Sequence, residues 1–348
     1  MKTSAALRGI YVPVLGLALL LGQLAFGADL YAVPNFSMAD VIVSLDGDFL
    51  GVEPGSVAAT KAFARRRRVS SPSDTMNRLY VVENSFSVTG AKADHRVRLP
   101  AGSVGAFALA LAQELKERHG FFKGVTLALS SLASQVRRVQ LMAEDLASAS
   151  RRSAALVVCG SAQPPAVHAL CALINQELGS AGKTLNYHPA GSTKDEGLES
   201  LTASLKSGQV KTAVILGGNP VYTLPADMDF ASLLKQCPNT VHFGHHDDET
   251  GSVCAWHLPA SHALESWGDM VSLGGRASLQ QPLISPLHDT RSEAELSALL
   301  AGESGADAYE VLKTSWMARS VRSEKAWRRC LHDGFVPGVL NTKIYDEV

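Results

Sequence analysis

The sequence predicts an α/β protein in which parallel sheets are wrapped by helices. Three observations lead there. Short runs rich in Val, Ile and Leu recur along the chain, as in "ADVIVSL", "LYVVE", "AALVVC", "KTAVIL" and "NTVHF". Helical patterns of about 10 to 15 residues separate most of them, the spacing of right-handed crossovers between parallel strands. Several strands end in glycine, Asn or Asp, the turn chemistry of a strand-to-helix connection. Together these imply two Rossmann-like parallel-sheet units, over residues 36–125 and 150–300, followed by a C-terminal arm.

In the first unit, "ADVIVSLDGDFL" (39–50) is a strand closed by a turn at Asp46, Gly47 and Asp48. "PGSVAATKAFARRRRV" is a helix whose last turn carries Arg65 to Arg68, where cations complement the helix dipole. "NRLYVVEN" (77–84) is a second buried strand, "ADHRVRLP" alternates polar and apolar residues, and "GSVGAFALALAQELKERHG" is a helix stopped at Gly120. Residues 122–152 are helical and polar, which suggests a solvated connection.

In the second unit, "AALVVCG" (154–160) is a strand and "PPAVHALCALINQELG" a helix opened by proline and closed by glycine. "KTLNYH" is a strand, and "LESLTASLKSGQ" an amphipathic helix. The strand "VKTAVILGG", the helix "DMDFASLLKQC" and the strand "NTVHFGHH" complete the series. "SLQQPLISPLHDTRSEAELSALLAG" is an extended arm followed by a helix, and residues 301–348 carry short helical patterns expected to form a linker.

Composition excludes several function classes. The chain has 348 residues, 46% of them hydrophobic and 19% charged, enough apolar material for two ordinary domains. The formal net charge of −1 gives no general attraction to nucleic acid, and the basic run at 65–68 has no interleaved aromatics. That run suits a solvated helix end or docking against an acidic neighbour. No G-x-S-x-G elbow for serine hydrolysis is present. The five cysteines, at 159, 171, 237, 254 and 330, form no C-x2-C pair, so this chain is expected to hold no iron–sulfur cluster or structural zinc.

Residues 1–28 resemble a secretory signal: Lys2 and Arg8 precede an uncharged stretch that ends in small residues at Ala25 and Gly27. Its apolar core of about twelve residues falls short of the roughly twenty that a spanning helix needs. Cleaved signal and uncleaved anchor are both open, and export is the expectation.

Ligand-capable residues gather in a few places. Gly217, Gly218, Asn219 and Pro220, in "ILGGNP", end a strand where the backbone can approach a phosphate closely, although neither G-x-G-x-x-G nor G-x-x-x-x-G-K-[ST] is present. Asp46 and Asp48 could bind a metal or a ribose hydroxyl, but two carboxylates are few ligands and turn capping explains them equally. "HFGHHDDET" (242–250) offers weak metal candidates in His245, His246, Asp248 and Glu249, although alternation sends neighbouring strand residues to opposite faces. Glu265, Trp267 and Asp269 fit a cofactor-flanking turn and an ordinary packed turn equally well.

The order of "GAKADHRVRLPAGS", "ILGGNP", "DDET", "HLPASHALESWGD" and "QPLISPLHDTRSEAEL" resembles the molybdopterin oxidoreductases. Within that superfamily, "MNRLYVVENSFSVTGAKADHR" and "LGGNPVYTLPADMDF" are most similar to the molybdopterin-like domain of the iron–sulfur subunit of alternative complex III, the bacterial quinol:electron-acceptor oxidoreductase. The resemblance implies a non-catalytic domain with no cofactor of its own, working beside iron–sulfur, haem and membrane subunits on the periplasmic side of the membrane. It leaves a fragment of a molybdopterin-binding oxidoreductase as one alternative, with "ILGGNP" otherwise an inherited relic, and an independent secreted α/β binding protein as another. Iron–sulfur clusters would then belong to a partner or a further domain. A twin-arginine export signal, common in that subunit, has no Arg-Arg pair here.

Overall fold

The strand β2, Val41–Leu45, organises the first half of the molecule. Every residue in it is buried, and its side chains alternate between two cores. Val41, Val43 and Leu45 face one cluster, and Ile42 faces the other. The computed structural model describes residues 30–128, 130, 136–151, 153–189, 197–272 and 276–337. The signal-like segment 1–28 lies outside them.

Up to Pro189 the described residues form one compact unit, and from Gly197 onward they form another. In the first, β2 lies between β3 (Arg78–Glu83) and β5 (Ala155–Cys159), and β4 (His95–Arg98) extends the sheet beyond β3. All four strands are parallel. The helices α1 (Ser56–Arg66), α2 (Val88–Ala91), α3 (Val104–His119), α4 (Val136–Ser150) and α5 (Pro165–Glu177) fall between or after them. Leu111 and Leu115 of α3, Met142 and Leu146 of α4, and Ile174 of α5 fill the first cluster with Tyr80, Val82 and Val157. On the other face Phe63 of α1 joins Phe36 and Phe49, whose rings stack 4.2 Å apart.

Three expectations for this half change. The boundary expected at residue 150 falls after Pro189, because β5 pairs with β2 from Val41↔Ala155 to Leu45↔Cys159. "KTLNYH" does not enter a parallel sheet: β6 (Leu185–Pro189) pairs antiparallel with β1 (Leu30–Pro34), a strand the sequence reading missed. The connection expected to be solvated contains α4, which buries Val139, Met142, Ala143 and Leu146. Its polar face is tied down too. Asp145 accepts from Tyr80 Oη and Arg78 Nη1, both at 2.5 Å, and burial beside that carboxylate pushes the Tyr80 phenol up to about 12.

In the second unit, α6 (Gly197–Lys206) precedes a parallel sheet ordered β7 (Thr212–Leu216), β8 (Asn239–Gly244), β9 (Trp256–Pro259). Between β7 and β8 lie α7 (Pro220–Thr223) and α8 (Phe230–Gln236), and α9 (Glu249–Val253) leads into β9. Ile215 packs with Leu205 of α6 and Phe230, Leu233 and Leu234 of α8. Two parallel-sheet units are thus present, of four and three strands.

The expected arm and linker fold as well. β10 (Gly268–Val271), β11 (Ala277–Gln280) and β12 (Phe335–Val336) make an antiparallel sheet. α10 (Glu293–Leu300) starts with a capping box between Ser292 and Glu295. α11 (Ala308–Arg319) and α12 (Glu324–Asp333) bring Trp316 and Trp327 into one core with Ala277, Leu279 and Val336. Two buried tryptophans make this stretch a packed subdomain, because each removes a large apolar surface from water. Among the described residues, no helix is long and apolar enough to cross a membrane.

Candidate functional site

Ligands of parallel α/β sheets bind beyond the carboxyl ends of the strands, at the point where the strand order reverses. In the first unit that point lies between β2 and β5. Asp46, just past β2, is left-handed (φ 57°), and Gln163 Nε2 donates to its Oδ2 at 2.8 Å. Glu53 Oε1 accepts from the Ser161 amide at 3.0 Å and from Ser161 Oγ at 3.2 Å. Asp48 Oδ1 accepts from the Thr89 amide and hydroxyl at 2.9 and 2.7 Å, which anchors α2. Glu83, at the end of β3 and 3% exposed, takes Arg96 Nε at 2.5 Å and Ser87 Oγ at 2.6 Å.

Four carboxylates therefore line this sheet's carboxyl edge, and each is satisfied from within the protein. Arg96 is committed to Glu83, and Arg98 lies exposed at the end of the outer strand β4. Asp46 and Asp48 serve as turn and helix anchors. Sequence reasoning missed Glu83, Arg96 and Glu53. Glu83 ends an apolar run without periodicity to mark it, and Glu53 meets Ser161 across 108 positions.

In the second unit, Gly217 and Gly218 follow β7 with φ of 62° and 71°, left-handed values that side chains rarely adopt. A Cβ on either would meet nothing within 4 Å, so the loop's outer face is open. The Gly217 amide donates to Phe243 O at 2.7 Å, which ties the loop to β8. Asn219 binds α9 at both ends of its amide. Its Nδ2 donates to Glu249 Oε2 at 2.6 Å, and its Oδ1 accepts from Thr250 Oγ1 at 2.8 Å. Pro220, buried, opens α7.

The four weak metal candidates do not converge. His245 and His246 are exposed, and His245 Nδ1 donates to Ala260 O at 3.2 Å. Asp248 Oδ1 caps α9 by accepting the Thr250 and Gly251 amides, each at 3.0 Å. Glu249 holds Asn219. Among the described residues, no three His, Cys, Asp or Glu side chains are placed to share a metal ion. Two histidines that meet closely are His242 and His257, one each on β8 and β9.

Other candidates also resolve into structural roles. Glu265 accepts the His262 and Leu287 amides at 3.0 and 3.1 Å. Asp269 Oδ2 accepts from Trp316 Nε1 at 2.7 Å, and Trp267 packs on Tyr309 with ring centroids 4.9 Å apart. These are the contacts of a packed turn. In the basic run, Arg66 pairs with Asp40, and Arg67 makes a two-pronged contact with Asp94 at 2.8 and 2.5 Å. Arg65 and Arg68 remain exposed. All five cysteines are free thiols. A contact with Cys171, and then burial, push the Cys159 thiol up.

The family model for molybdopterin oxidoreductases matches residues 69–302, more than half of the chain. This chain belongs to the molybdopterin oxidoreductase family. No curated protein matches it in sequence. Among solved structures it is similar to acetylene hydratase from Pelobacter acetylenicus, with a TM-score of 0.57 and 13% identity over 84% of this chain and 51% of that one. A formyltransferase/hydrolase complex from Methylorubrum extorquens, solved with methylofuran, gives a TM-score of 0.45 and 13% identity over 83% and 80% of the two chains. The chain thus spans about half the length of the hydratase, and the likeness is one of fold.

Molybdopterin oxidoreductase domains usually bind a molybdopterin, whose phosphates are anionic. The residues of the first sheet do not suit such a group, since Asp46, Asp48, Glu53 and Glu83 occupy its carboxyl edge. The double-glycine loop leaves room for backbone approach. Its polar neighbours are nevertheless Glu249 and Asp248, and no Lys or Arg among the described residues hydrogen-bonds to that loop. Among the described residues, the first sheet's carboxyl edge is thus mostly negative, with Arg98 exposed at its outer strand.

Proposed function

We propose that this chain is a non-catalytic scaffold domain of the molybdopterin oxidoreductase fold, part of a respiratory quinol:electron-acceptor oxidoreductase of the alternative complex III type. It would present surfaces to iron–sulfur, haem and membrane subunits that carry the electrons, on the periplasmic side of the membrane. The observation behind the non-catalytic reading is the carboxylate edge of the first sheet. A dinucleotide-binding edge normally meets phosphate with amides and cations, whereas this edge meets it with Asp46, Asp48, Glu53 and Glu83. Support for the complex comes from the ordered segments around residues 76–96 and 216–230, and support for export from the segment at 1–28.

Metal analysis and pterin fluorescence of the natively expressed, purified protein test the reading. Molybdenum and oxidised pterin well below stoichiometry are expected, and one of each per chain would overturn the scaffold assignment. Affinity purification from native membranes tests the complex. Haem and cluster subunits should accompany the chain, and a monomer recovered without them would leave that part of the proposal untenable.

A further inference from the structure

His242 and His257 are register partners on the parallel strands β8 and β9. Their Nδ1 atoms face each other at 3.0 Å, and His242 is 1% exposed. Two imidazole lone pairs cannot face each other at that distance, so a proton lies between the rings. On its other side His242 Nε2 is 3.2 Å from the Gly218 carbonyl. A carbonyl only accepts, so Nε2 carries a proton, and in the neutral pair His257 Nδ1–H donates to His242 Nδ1.

We infer that His242 and His257 form a proton-operated latch beneath the double-glycine loop. The first added proton makes His242 an imidazolium that donates through Nδ1 to His257 and through Nε2 to Gly218. The added proton enters at His257 Nε2 while the proton between the rings passes to His242, so His257 Nδ1 becomes the acceptor and no contact is lost. The charges around the pair favour this state. Asp248 Oδ1 lies 3.8 Å from His242 Nδ1. Asp247 Oδ1 lies 2.6 Å, and both Nδ1 atoms 3.2 Å, from the point where a Cβ on Gly251 would stand. Glu249, also on α9, is occupied by Asn219. The loop at 217–220 and α7 contribute no charge.

A second proton sets N–H against N–H and cation against cation. The contact then opens, and the partly exposed His257 moves, because β9 is an edge strand of its sheet. His242, no longer held from that side, is free to turn towards Asp248 and release Gly218. The pair thus takes two protons in unequal steps, and the loop answers to the second. This inference stands whether or not the chain joins a complex.

Heteronuclear NMR of the full chain across a pH series tests it. The ring signals of His242 and His257 should change together with pH, in two separate steps. The Gly218 amide should shift with the lower step alone. In His257→Gln the pair collapses to a single titration of His242, and the lower step of Gly218 disappears. Two coincident, independent titrations in the wild-type protein would overturn the latch, and so would a Gly218 signal indifferent to both steps. Because the wild-type series decides the matter alone, a poorly folded variant does not remove the test.

Discussion

Gly160 and Asp46 meet backbone to backbone where β5 and β2 end. A Cβ on Gly160 would fall inside the van der Waals radius of the Asp46 carbonyl oxygen and close to the Gly47 amide. The Gly160 amide in turn donates to Leu45 O at 2.9 Å. Both neighbours are backbone, so neither can swing aside. Gly160→Ala is therefore expected to cost at least about 2 kcal/mol, read as a lowered midpoint in urea unfolding. A midpoint within error of wild type would show that the two strand ends are not in register as described.

The double-glycine loop should respond differently to the same substitution. Gly218→Ala meets no atom within 4 Å, but keeps a φ of 71°. Only the left-handed backbone is penalised, at about 1–2 kcal/mol. Gly218→Asn should cost less than Gly218→Ala, since Asn tolerates that conformation. The reverse order in thermal unfolding would contradict the conformation assigned to the loop.

Asn175 is buried in α5 and bridges that helix to β5. Its Oδ1 accepts the Val157 amide at 2.9 Å, and its Nδ2 donates to Val157 O at 2.7 Å and Cys171 O at 2.9 Å. Asn175→Leu keeps the volume but strands backbone groups away from water, for a loss of about 3 kcal/mol. Double-mutant analysis is unnecessary here. The fall in unfolding free energy, with the slope on denaturant unchanged, checks it directly.

Burial lowers the affinity of the His168 imidazole for a proton, and its Nε2 has no hydrogen-bond partner. The folded state thus favours neutral His168, while the unfolded chain takes up a proton first as pH falls. The stability is complete above the ordinary histidine pKa of 6.5 and is lost as pH falls through the folded value. Unfolding measured at pH values on both sides of that ordinary value should show wild type weakening more than His168→Gln. His188, also lowered by burial, supplies a remaining slope of the same sign. Parallel pH curves for wild type and variant would rule out a depressed His168.

The sequence made some of this architecture plain and hid the rest for physical reasons. "VIVSL" and "LYVVE" are apolar on both faces, which only a strand between two cores tolerates, so β2 and β3 were legible. The strand β5 was legible as well, but its partner was not, because the residues of a parallel strand do not state which edge they will join. β1 escaped because "LYAVP" is short and meets its partner β6 far along the chain. The core role of α4 was masked by Arg137, Arg138, Glu144 and Asp145, polar residues interleaved with Val139, Met142 and Leu146. At the candidate site the double-glycine loop was visible in four consecutive letters. The His242–His257 pair was not, since each histidine sits in its own strand and only the register of β8 against β9 brings them together. The dense "HHDD" run attracted attention instead and proved to be a turn and a helix cap.

The position of β2 bears on how the molecule is made. Val41 pairs with Arg78 on one side and with Ala155 on the other. A ribosome that has delivered β2 and β3 has therefore exposed one flank of β2, with the amides and carbonyls that point away from β3, for the whole time needed to synthesise the chain up to β5. Pairings this distant in sequence fold slowly, and an open apolar strand flank is where chains associate wrongly. The vulnerable period of this protein lies between the emergence of Leu45 and that of Cys159, and a chaperone that shields the nascent chain would act in that interval.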